Sequence, residues 1–264
     1  MKERIITAIV ALIVFVPFVV IGGWPFTLMI YTIATIGLFE LLRMRDIKLI
    51  SVPGILTWVT LAVVLLPSGW EVRLSEAVGY TKIELAFMAV LLLLVVTVVS
   101  KNKYNFDHIS FSVLGALYLG IGFYYLIETR LFGIEFVIYA LIVVWMTDTG
   151  AYFVGRKIGK RKMWPDISPN KTTEGAIGGI VSAIIFACIY NYFIPIASSY
   201  LILVVVTLIV SVAGQLGDLV ESAIKRHYDV KDSGKLLPGH GGILDRFDSL
   251  LFVLPLLHFL QFVA

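Results

Sequence analysis

Residues 199–220 read SYLILVVVTLIVSVAGQLGDLV, and the chain runs straight on through ESAIKRHYDVKDSGKLLPGHGGILDRFD to Asp248. The first part is long and apolar enough to cross a bilayer as one helix, which takes about 20 such residues. The second part gathers acids, bases, histidines and glycines in a chain that is otherwise mostly hydrocarbon: 59% of its 264 residues are hydrophobic and 15% charged. Water-soluble domains do not have this composition, so the chain falls in the membrane class. Charge concentrated in one stretch of such a chain marks where its chemistry is expected.

Working outward, apolar runs recur at about 5–22, 25–42, 52–67, 83–100, 109–127, 134–154, 175–194, 199–220 and 243–262, which predicts about nine spans. Backbone amides in hydrocarbon must be satisfied within the segment, and runs this long without period-2 alternation mean helices rather than a barrel. The expected fold is all-α and polytopic. The first run, after Lys2 and Arg4, is long for a secretory signal and lacks an A-x-A-like site, so an uncleaved first span is expected. Little remains for a soluble domain; 1–264 reads as one integral membrane domain, with 1–130 giving N-terminal spans and 131–264 the chemical signature.

Basic residues are retained on the cytoplasmic side of a membrane. With the N-terminus cytoplasmic and the C-terminus on the opposite side, 18 of the 21 Lys and Arg fall in cytoplasmic segments, leaving Arg73, Lys82 and Arg130 across the membrane. The stretch after Gly214 then meets the cytoplasm, and a bacterial cytoplasmic (inner) membrane is the simplest home. A net charge of +3 with no basic, aromatic-interleaved stripe gives no reason to expect nucleic acid. Cys188 is the single cysteine, so no intramolecular disulfide is expected. The glycines at 115, 120 and 122, and at 175, 178 and 179, read as close helix packing.

Within the charged stretch, Asp218, Glu221, Ser222 and Lys225 stand at i, i+3, i+4 and i+7, along one helical face. Asp245 and Asp248 are three apart at the start of the last run. Carboxylates at membrane depth are costly unless paired or bound to a cation. Oxygen-only donors favour a hard ion such as Mg²⁺, which binds through a few carboxylates, water and substrate phosphates. Lys225, Arg226, Lys231 and Arg246 suit phosphate oxygens. Phosphoryl or nucleotidyl transfer fits this combination, while a set of intramembrane salt bridges remains open. Gly239, Gly241 and Gly242 around His240 let backbone amides approach an anion at a helix N-terminus. Upstream, Asp148 reads as partly buried near the inner end of a span, and Lys171 as part of a turn leading into a helix. Both are candidate substrate contacts. Arg156, Lys157, Lys160, Arg161 and Lys162 read as topology residues.

The segment SAIKRHYDVKDSGKLLPGHGGILDRFD, 222–248, resembles the signature of the phosphatidate cytidylyltransferases, or CDP-diacylglycerol synthases. Ser222, Lys225, Arg226, Lys231, Asp232, His240, Gly241, Gly242, Asp245, Arg246 and Asp248 fill its fixed positions. DTGAYFVGRKIGK and ISPNKTTEGAIGG also resemble family segments, so the similarity extends from about Trp145 to Leu251; Asn170 and Thr173 depart from the Lys and Trp often found there. The resemblance implies a nucleotidyltransferase of phospholipid biosynthesis that condenses CTP with phosphatidic acid to CDP-diacylglycerol and pyrophosphate, with Mg²⁺. It further implies Asp218, Asp245 and Asp248 as metal ligands, helped by Glu221 and Ser222. Lys225, Arg226, Lys231 and Arg246, joined by Lys171, His240 and the Gly241–Gly242 pair, would contact substrate. The expected partners are CTP, phosphatidic acid and membrane lipids, with a homodimer left open.

Two rivals differ in chemistry. A CTP-dependent polyprenol or phytol kinase would move the γ-phosphoryl group instead of cytidylate. An ion transporter would line a path with acids across several spans, whereas here the charge clusters at one face and no inverted repeat is visible.

Overall fold

The structure is a computed structural model that describes residues 2–239 and 241–263; the expected contact at His240 lies outside the described residues. The elements are α1 (Lys2–Ile21), α2 (Gly23–Met44), α3 (Val52–Val64), α4 (Ser68–Val78), α5 (Lys82–Val99), α6 (Phe106–Phe132), α7 (Ile134–Ile158), β1 (Lys162–Trp164), β2 (Ser168–Thr172), α8 (Thr173–Phe193), α9 (Tyr200–His227), α10 (Leu244–Phe247) and α11 (Leu250–Phe259). The fold is thus a helical, polytopic membrane fold, broken by one two-stranded antiparallel ribbon that hydropathy did not foretell.

Among the described residues six helices, α2, α5, α6, α7, α8 and α9, are long and apolar enough to cross a membrane. The run expected to cross at 52–67 stops early: α3 has 13 residues, and Pro67, which cannot continue a helix, starts α4 at a bend of 110°. Counted as one bent span, α3 and α4 make a seventh. The last run, 243–262, is divided into α10 and the ten-residue α11.

The chain forms two compact units, Met1–Glu128 with Asp232–Asp245, and Thr129–Lys231 with Arg246–Ala264. Residues 232–245, which sequence order assigns to the C-terminal half, therefore belong with the N-terminal spans.

In the first unit, local capping explains where helices begin. Ser51 Oγ accepts from Gly54 N ahead of α3, and Thr81 and Glu84 form a capping box ahead of α5. The bend at Pro67 is tied down by Glu128, which accepts from Ser68 N at 2.8 Å and Ser68 Oγ at 3.0 Å. Lys82 pairs with Glu71 at 3.4 Å and lies 3.6 Å over the Tyr124 ring. Small residues admit close packing here: a Cβ placed on Gly115 would lie 2.5 Å from Leu41 Cδ2, and one on Gly120 2.8 Å from Val64 Cγ1. Large apolar side chains such as Ile83 and Val98 are about three-quarters exposed, as expected of faces turned to lipid rather than water.

In the second unit α7 and α8 pack along most of their length. Gly175, Gly179, Ala183 and Ala187 recur every fourth residue on the buried face of α8, a small-residue stripe that lets two backbones approach. A Cβ on Gly178 would lie 2.5 Å from Val154 Cβ, and one on Gly179 2.6 Å from Thr147 O. Hydroxyl pairs tie α7 to α9, Tyr139 with Thr207 at 2.8 Å and Thr147 with Ser211 at 2.7 Å. Gly217 on α9 lets the chain ahead of α11 pass close, since a Cβ there would lie 2.6 Å from Asp248 O.

Candidate active site

In the second unit the charged end of α9 meets the ribbon. Lys171 stands on β2, not in a turn as the sequence suggested, and Thr172 caps α8 by accepting from Gly175 N at 3.1 Å. From β2 the Lys171 ammonium reaches Asp218 Oδ2 at 2.5 Å and Gln215 O at 3.4 Å. Ser222 Oγ lies 3.5 Å from Asp218 Oδ1, a long contact one helical turn on. Glu221, with no exposed side-chain surface, forms an ion pair with Lys225. The helical face expected from the spacing thus resolves into two neighbouring carboxylate–ammonium pairs.

Asp148 and Asp248 belong to the same neighbourhood. Asp218 acts electrostatically on both; Lys171 and Arg246 act on Asp148, and Lys225 on Asp248. Asp148 lies at the edge of a narrow cleft that Thr147, Ser211, Gly214 and Ser249 also line. Asp248 Oδ1 accepts from Ser249 N at 2.7 Å. Arg226 and Arg246 are exposed, as is Lys231 at the end of this unit's first segment. Acids and bases alternate here in near balance, so the surface can receive both a cation and phosphate oxygens.

The glycine loop lies in the first unit, and carboxylates accept from the amides of Gly242, Ile243 and Leu244. Asp245 Oδ2 accepts from Gly242 N at 2.7 Å and from Ser233 N and Oγ, both at 2.9 Å. Glu40, near the end of α2, accepts from Ile243 N and Leu244 N, each at 3.0 Å, and shares with Asp245 the single Ser233 hydroxyl, 3.0 Å from Glu40 Oε2. Of the glycine amides that the sequence offered to an anionic ligand, that of Gly242 is taken by Asp245. Gly241, at φ 82°, supplies a left-handed turn, and Leu237 N donates to Gly241 O at 3.0 Å.

Glu40 is the residue that sequence reasoning missed. It sits inside the run GLFELL, where a lone acid in an apolar span is by default a functional candidate. Among the described residues no three His, Cys, Asp or Glu side chains are gathered closely enough to hold a metal ion in this conformation. The oxygen-only donors of Asp148, Asp218 and Asp248 nevertheless have the chemistry of a hard-cation site, and a cation among them would offset their repulsion.

The sequence matches the model of the cytidylyltransferase family over residues 2–264. The phosphatidate cytidylyltransferase of Bacillus subtilis (strain 168) is 54% identical over 263 residues, covering 98% of this chain and 97% of that protein. That of Staphylococcus haemolyticus (strain JCSC1435) is 49% identical over 260 residues, covering 98% of each. Staphylococcus aureus (strain COL) has another at 47% over 265 residues, again 98% of each. Similarity of this extent spans the apolar helices as well as the charged segments, and the chain belongs to the cytidylyltransferase family.

Proposed function

We propose that this protein transfers a cytidylyl group from CTP to phosphatidic acid, forming CDP-diacylglycerol and pyrophosphate, as a nucleotidyltransferase of phospholipid biosynthesis in a bacterial membrane. The observation that carries this reading is the end-to-end match: residues 2–264 fit one family, and relatives sharing about half their positions are phosphatidate cytidylyltransferases. A phosphate oxygen of phosphatidic acid forms a bond to the α-phosphorus of CTP as the bond from that phosphorus to the bridging β-phosphate oxygen breaks. The nucleophile is ionised near neutral pH, so no general base is required, and the protein's work is positioning and charge neutralisation.

Asp218 and Asp248, with Asp148 beside them, are the donors we assign to Mg²⁺, which when bound neutralises triphosphate charge. Glu221 and Asp245 are further candidate ligands; at present Glu221 pairs with Lys225, and Asp245 accepts from Ser233 and Gly242. Lys171 is the base best placed to contact phosphate, because its present partner, Asp218, is an assigned donor and exchange of partners frees both. Lys225, Arg226, Lys231 and Arg246 supply further positive charge for CTP or lipid phosphates. The basic-residue count supports a cytoplasmic N-terminus, nine crossings that include the short and bent segments, and a site reached by CTP from the cytoplasm.

Purified protein in detergent micelles, given CTP, Mg²⁺ and phosphatidic acid, should release one pyrophosphate per CTP consumed, and only when the lipid is present. Release of CDP instead would replace this reading with γ-phosphoryl transfer.

A further inference from the structure

Glu40 lies one turn before the C-terminal end of α2, the end whose dipole disfavours a carboxylate. It is only 2% exposed. Burying a carboxylate among apolar side chains is expensive unless donors surround it. All three donors that satisfy it come from one distant segment: Ser233 Oγ, Ile243 N and Leu244 N. The fit is reciprocal. A Cβ on Gly234 would lie 2.6 Å from Glu40 Cδ, and one on Gly242 2.5 Å from Glu40 Oε1, so both glycines leave space for this carboxylate. Ser233 joins it to Asp245, because the same hydroxyl lies 3.0 Å from Glu40 Oε2 and 2.9 Å from Asp245 Oδ2.

We propose that Glu40 is a positioning residue for cytidylyl transfer, a clamp from α2 that fixes the loop 232–245 and, through Ser233, the carboxylate of Asp245. Gly234 and Gly242 then serve the close approach of Glu40. The proposal rests on the reading of the chain as a CTP-using transferase, in which Asp245 is a candidate metal ligand and Gly241 and Gly242 are candidate substrate contacts.

The test is Glu40→Gln in the full-length protein. Glutamine keeps the shape but offers one acceptor oxygen and an amide donor where three donors converge, so the clamp cannot be reproduced. The Michaelis constant for CTP should rise about tenfold, the effect of losing one charge-assisted hydrogen bond, while that for phosphatidic acid stays within about twofold. Amide exchange at Ile243 and Leu244 should quicken by about tenfold or more. An unchanged constant for CTP, or activity lost only in proportion to folded protein, overturns the proposal. If Glu40→Gln does not fold, Ser233→Ala decides: it leaves both amides on Glu40 but cuts the link to Asp245. It should raise the same constant about threefold to tenfold, and no change overturns the proposal. If the wild-type protein itself moves no cytidylate into lipid, the functional reading fails. Exchange at Ile243 and Leu244 then decides the clamp alone, and wild-type exchange in Glu40→Gln overturns it.

Discussion

Asp218 and Glu40 are both carboxylates on long apolar helices, and the chain satisfies them in opposite ways. Asp218 is one-third exposed and is met by the end of a flexible lysine and a distant hydroxyl. Glu40 is buried and met by two backbone amides and the Ser233 hydroxyl. An ion pair between side chains at a wet surface contributes little to stability and can open when a stronger partner arrives. Hydrogen bonds to consecutive amides fix the backbone that carries them. The contrast separates charge held for exchange with ligands from charge used to shape a loop.

The largest effect that could break this contrast is metal removal. Chelation should abolish cytidylyl transfer, and added Mg²⁺ should restore it; a full rate in excess chelator would leave Asp218 with no ion to exchange for. Asp248→Ala should lower the transfer rate by about a hundredfold or more, in the range seen when an electrostatic contact to the reacting group is lost. It should leave thermal unfolding in detergent close to wild type. A wild-type rate from such a folded variant would remove Asp248 from the site. Lys171→Met should cost about tenfold to a hundredfold in kcat/KM for CTP, consistent with loss of a charged phosphate contact. If it changes only unfolding temperature, the Lys171–Asp218 pair is structural and the contrast with Glu40 collapses. The smallest expected effect lies away from the charges. Gly178→Val forces atoms against Val154 and should destabilise the protein by about 1–3 kcal/mol through overpacking. The Michaelis constants of the folded fraction should not move.

Most of the membrane architecture was legible because hydropathy over about 20 residues is a strong, local signal. It fails where length and continuity matter: it carried a span across Pro67, which turns the chain by 110°, and joined α10 to α11 across Asp248 and Ser249. The ribbon was missed because KMW and SPNKT are short and without clear alternation. Spacing on α9 correctly put Asp218, Glu221, Ser222 and Lys225 within a few turns, but it could not show that Lys171 would take Asp218 while Lys225 took Glu221. Partner choice there depends on contacts 47 and 4 residues apart, and only the shorter is visible in helical periodicity. Glu40 and the glycine loop lie about 200 residues apart in sequence, so no local pattern could join them. The rule that an acid inside an apolar span is suspect would still have singled out Glu40.

The most direct measurement follows the two ends of CTP at once. Purified protein in phosphatidic acid micelles with Mg²⁺ is given CTP labelled in the cytidine with one isotope and in the γ-phosphate with another, and the lipid is extracted. Cytidine label in the lipid, with the γ-phosphate recovered as pyrophosphate in the aqueous phase, is the expected result. Lipid carrying the γ-phosphate label without cytidine would contradict cytidylyl transfer.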